Sequence, residues 1–130
     1  MLARNFGPVT ALALSNDHTF VAVGHVNGHI QLFDFKHPHV AARTVLPISL
    51  TAVRSGRQEG HLIGSRIVAL GFISGRHTAF ASADDQGMAF YHSLGKVLFM
   101  EANDCLRILG KYPEEEPVPL PLPPDRKSVV

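Results

Sequence analysis

The feature that most constrains the fold is an internal repeat. The run VTAL that begins at Val9 recurs as IVAL from Ile67, 58 residues later, and Gly28 recurs as Gly87, 59 residues later. The one-residue difference falls in the first turn, where insertions are tolerated. Similarity at a fixed spacing is typical of folds that stack copies of one structural unit. The chain therefore contains two copies of a strand-turn-strand-turn-strand unit.

Both copies predict short antiparallel strands. In the second, apolar runs span residues 67–73, 78–83, 88–92 and 96–100, with turns rich in Gly and Asp between them. In the first, strands are predicted at 9–14, 19–24 and 29–35, and residues 40–45 are a candidate for a fourth, outer strand. Short apolar runs separated by such turns indicate a meander. Residues 51–59, between the copies, are predicted to be a loop, and residues 101–110 are compatible with a third unit or a helical turn.

These units need sheets packed against both faces. The run at 9–14 is apolar on both sides, which is typical of a strand buried between two sheets. Four to eight four-stranded sheets stacked radially form a β-propeller. We therefore predict an all-β chain with two blades of an incomplete propeller, at about residues 7–47 and 60–100 within 1–112. Since two blades cannot close a ring, a fragment is expected; a small β-sandwich is the alternative.

Several residues match positions that stabilise WD-type blades. Gly60 and His61 precede the inner strand of the second copy, where WD repeats carry Gly-His, and Phe33-Asp34 ends the third strand of the first, where they carry Trp-Asp. In such blades a His, a turn Asp, a strand Ser or Thr and the Trp form a buried hydrogen-bond network. The chain has no Trp, so the blades are degenerate.

The second copy offers most of this network. His61 and Ser82 are two of its members, Asp85 or Gln86 supplies the turn group, and His92 or Tyr91 takes the Trp position. The candidate structural residues are Gly24, Phe33, Asp34, Gly60, His61, Ser82, Asp85 and Gly87.

The segment 113–130 differs from the rest of the chain in composition. It holds six of the nine prolines and three consecutive glutamates, so it is predicted to be an extended or disordered linker. Pro121, Pro124 and Arg126 fit a peptide pattern that SH3 domains bind, since the two prolines fall on one face of a polyproline helix. Because such patterns arise often by chance, a passive linker is the main interpretation and a Pro-rich adaptor or peptide ligand the alternative.

The composition is that of a globular protein rather than a disordered one. Hydrophobic residues make up 45% and charged residues 18%. Twelve basic and eleven acidic residues give a net charge of +1, so no nucleic-acid partner is expected. The sequence has no apolar run of membrane-spanning length, and no transmembrane segment is predicted.

Other reactive side chains have plainer explanations. His37 and His39 lack the further ligands of a zinc site, adjacent Asp84 and Asp85 are typical of a turn, and Cys105 has no activating neighbour in sequence. The arginines at 54, 57, 66 and 76 are typical of a surface, with contact to an acidic partner as the alternative. No catalytic residue, cofactor or metal is predicted.

Three runs of the sequence resemble a known family. They are GHVNGHIQLFDF at 24–35, GHLIGSRIVALGFISGRHTAFASADDQGMAFYHSLGK at 60–96 and LRILGKYP at 106–113. Together they closely resemble the N-terminal propeller of the vacuolar protein sorting-associated protein 8 family, subunits of the CORVET endosomal tethering complex. The tail ending in RKSVV resembles a basic linker in fungal members.

The resemblance implies a protein-interaction scaffold in vesicle tethering. It implies a cytoplasmic protein, peripheral on endosome and vacuole membranes, that acts in endosome fusion, Golgi-to-endosome transport and vacuolar or lysosomal protein sorting. The implied partners are other tethering subunits and an early-endosomal Rab GTPase. The family's helical solenoid and RING-like zinc region have no counterpart in these residues.

Overall fold

A computed structural model describes residues 6–73 and 75–113, and its strands form two antiparallel sheets. The first sheet contains, in chain order, β1 (Val9–Leu14), β2 (Phe20–His25), β3 (Ile30–Asp34) and β4 (Arg43–Val45). The second contains, also in chain order, β5 (Ile67–Ile73), β6 (Arg76–Asp84), β7 (Ala89–Val97) and β8 (Met100–Leu109). The all-β prediction, with two four-stranded meanders as a partial propeller, is confirmed.

The two sheets repeat each other in detail. The pairing of β1 with β2 is irregular just after Val9, and that of β5 with β6 just after Ile67, so both inner strands carry the same bulge. Gly28 and Gly87 close the next turn in their respective sheets, with φ angles of 104° and 86°. Only glycine adopts such angles without a steric penalty, which explains why this residue recurs.

The bounds predicted for the outer strand of the second sheet, residues 96–100, are wrong. Lys96 belongs to β7, the chain turns at Leu98 and Phe99, and the outer strand runs from Met100 to Leu109. Residues 101–110 therefore start no third unit and form no helical turn. Gly95 indicated a strand end, but it lies within β7 opposite Ala102, because a hairpin can accommodate a glycine between its paired strands.

Two further expectations are corrected. The predicted loop at 51–59 begins with a short helix, α1 (Leu50–Arg54), which is capped because the Ser49 hydroxyl accepts a bond from the Ala52 amide at 3.1 Å. β1 is not buried on both faces, since Leu12 and Leu14 are 64% and 54% exposed. Each sheet covers one face of the other sheet. The second face of the inner strand β1 therefore stays exposed, although its residues are apolar.

The two sheets enclose one core, and α1 helps enclose another. Between the sheets lie Ala22, Ile30, Leu32, Ile67, Phe80 and Leu94. In the second core, Val53 of α1 packs with Ile48, Met88, Phe90 and Tyr112. Burial of each large side chain stabilises the fold by about 1.5–3 kcal/mol.

Within the described ranges, no helix has the length and hydropathy that a membrane crossing requires.

Candidate functional site

A chain of four buried polar side chains lies on the covered face of the second sheet. His61 Nδ1 is 2.7 Å from Asp84 Oδ2, and His61 Nε2 is 2.6 Å from Ser82 Oγ. His92 Nε2 is 2.7 Å from the same Ser82 oxygen. All four side chains are at most 4% exposed. They link the segment before β5 to β6 and β7.

The alternation of the strands brings these residues together. Ser82 and Asp84 are two positions apart on β6 and point to one face. Phe80, on that same face, stacks on His92 with ring centroids 4.8 Å apart, and Phe90 contacts His61 edge-on at 4.7 Å. The network is thus enclosed by aromatic rings, which exclude water and strengthen its hydrogen bonds.

Asp84 is the charged end of the network. Its second oxygen, Oδ1, accepts bonds from the Gln86 amide at 2.8 Å and the Met88 amide at 3.0 Å. Burial alone would raise the pKa of Asp84, but the bonds from His61 and these two amides outweigh burial and lower it. Asp84 therefore fixes the turn after β6 and anchors His61 at the same time.

His92 is the neutral end of the network. Burial, and then the neighbouring His61, lower the pKa of His92 to about 3. A serine hydroxyl has one proton and two lone pairs, so Ser82 can donate to one imidazole and accept from the other. His92 thereby takes the place in the network that the Trp indole takes in a WD-type blade.

The carboxylate of the network differs from the one expected. The sequence indicated Asp85 or Gln86, whereas Asp84 contacts His61. Asp85 instead accepts a bond from the Arg66 amide at 3.1 Å, outside the network. The sequence did contain a signal that favours Asp84. Side chains two positions apart on a strand point to the same face, so Asp84 shares the face of Ser82 and Asp85 does not.

The remaining structural candidates lie at contacts within and between the sheets. Gly24 is packed on Ile67, so that a Cβ there would lie 2.5 Å from Ile67 Cγ2. The Gly60 carbonyl accepts a 2.7 Å bond from the buried Tyr112 hydroxyl, a partner that the sequence did not indicate. Phe33 and Asp34 end β3, and Asp34 accepts a bond from the Lys36 amide at 2.9 Å.

The other sequence candidates form no reactive cluster. Pro121, Pro124 and Arg126 lie outside the described residues. In the part of the chain that the structure describes, no three His, Cys, Asp or Glu side chains are grouped to hold a metal ion. Burial, and then the nearby Glu59, raise the pKa of Cys105 to about 12, so its thiol is protonated and unreactive near neutral pH.

A cleft lies between the outer strands of the two sheets. Its volume is about 510 Å³, and its polar lining includes Thr44, Arg57, Glu59 and Asp104. Beside it, Arg43 of β4 donates to Asn103 of β8, and its Nε lies 3.2 Å from Glu101 Oε1. These side-chain contacts connect β4 to β8 beside the cleft. Cys105 also lines it, and its thiol stays protonated near neutral pH.

The geometry of Asp84, His61 and Ser82 resembles a hydrolase triad, but its surroundings do not. A nucleophilic serine needs space for a substrate carbonyl next to its oxygen. Ser82 is 2% exposed, and a second imidazole contacts its oxygen. We call these four residues the clamp, because their hydrogen bonds join the segment before β5 to β6 and β7.

Two stacked meanders with a buried His-Asp-Ser clamp define a WD-type β-propeller segment, a class of protein-interaction scaffold. The family model described as the Vps8 beta-propeller matches residues 1–129. The chain belongs to the Vps8 β-propeller family, and the family resemblance of the sequence is confirmed.

A solved structure supports the same fold. The crystal structure of the Myceliophteria thermophila Cps50 (Swd1) β-propeller domain is similar, with a TM-score of 0.54 and 14% identity. The similarity covers 81% of this chain and 28% of that chain, so this chain spans under a third of that propeller's length. At this identity the likeness shows the fold alone. No curated protein matches the sequence.

Proposed function

We propose that this chain is part of an interaction scaffold in a CORVET-type endosomal tethering subunit, which acts in endosome fusion, Golgi-to-endosome transport and vacuolar or lysosomal protein sorting. The observation that carries the proposal is the Vps8 propeller match over residues 1–129. The site geometry supports it, since the polar network formed by His61, Ser82, Asp84 and His92 is buried and stabilises a blade. A scaffold needs such rigid blades and no catalytic centre.

The proposed partners are other subunits of the tethering complex and an early-endosomal Rab GTPase. The chain would reach endosome and vacuole membranes as a peripheral, cytoplasmic protein, through these partners. Support comes from the propeller fold, whose blades present loops and outer strands for contact with other proteins. The non-enzymatic part of the proposal is supported by the enclosed position of Ser82 and the protonated thiol of Cys105.

The test is purification of the tagged full-length protein from its own cells, followed by identification of the recovered subunits. We expect the core tethering subunits in stoichiometric amounts. The early-endosomal Rab should be recovered with a non-hydrolysable GTP analogue and lost with GDP, which is the internal control. Recovery of the protein alone, or equal Rab recovery with both nucleotides, would contradict the proposed partners.

A cellular measurement separates tethering from mere complex membership. Deletion of the gene should scatter early endosomes and misdirect a vacuolar hydrolase to the medium, and the intact gene should restore both. Normal endosome clustering and hydrolase retention in the deletion strain would contradict the proposed role even if the subunits co-purify.

A further inference from the structure

We draw no further inference here: the strongest candidate, the cleft of about 510 Å³ between the outer strands β4 and β8, carries nothing, because its lining bears charges of both signs and nothing in the structure shows what occupies it.

Discussion

His61 and His92 share the hydroxyl of Ser82, whose oxygen lies 2.6 Å from one Nε2 and 2.7 Å from the other. The two rings come from different parts of the chain, one before β5 and one within β7. Ser82 is thus the central link between the start of the second sheet and its third strand. Loss of this one oxygen affects two buried nitrogens at once.

Replacement of Ser82 by alanine should destabilise the protein. The variant leaves two buried ring nitrogens without their shared partner, and each buried polar group without a hydrogen bond costs about 1–3 kcal/mol. We expect the free energy of unfolding in urea to fall by at least that amount. Ser93→Ala is the control, since its hydroxyl accepts an exposed bond from Arg76, the loss of which should cost under about 0.5 kcal/mol. Equal losses in the two variants would contradict a structural clamp.

Stability should fall as the pH drops from 6.5 towards 3. The fold lowers the pKa of His92 from its ordinary 6.5 to about 3, so the unfolded chain binds more protons between these values. The stability that the neutral ring contributes is complete above pH 6.5, and about 2 kcal/mol of it is lost by pH 5. His92→Gln keeps an N–H donor that does not titrate and should flatten this dependence in denaturation curves at several pH values. If the stability of His92→Gln depended on pH as steeply as that of the wild type, groups other than His92 would be responsible for the dependence.

Gly24→Ala should destabilise the contact between the two sheets, whereas Gly71→Ala should be tolerated. A Cβ at Gly24 would lie 2.5 Å from Ile67 Cγ2 and 2.7 Å from Ile67 Cβ, while one at Gly71 meets no atom within 4 Å. Both glycines lie in strands. We expect Gly24→Ala to cost about 1–3 kcal/mol by overpacking and Gly71→Ala to be neutral or slightly stabilising in thermal denaturation. A stable Gly24→Ala protein would show that the sheets can shift at low cost.

The Pro-rich segment should not bind SH3 domains with useful affinity. Pro121, Pro124 and Arg126 fit the pattern, but the glutamates at 114–116 add nothing to an acidic groove. A peptide of residues 113–130 should show no dissociation constant below about 100 μM across a panel of SH3 domains. A low-micromolar complex that is lost on Arg126→Ala would support the adaptor alternative.

Local patterns in the sequence determined the strands and their repetition. The bounds of β1 and β5 were predicted to the residue, and Gly87 marked a turn with positive φ. Such features depend on apolar runs, alternation and the backbone freedom of glycine, all of which act over a few residues. For the same reason the hairpin turn at Leu98 and Phe99 was missed, because neither residue carries a turn signal.

The contacts across the fold were decided only by tertiary structure. The choice of Asp84 over Asp85 depends on which face of β6 meets His61, 23 residues earlier in the chain. The Tyr112 hydroxyl donates a hydrogen bond to the carbonyl of Gly60, 52 residues away. This contact requires that β8 is paired and that the second sheet packs against α1. Contacts at such separations depend on how the sheets stack and have no local signature, so the repeat indicated two blades while the packing determined which side chains join them.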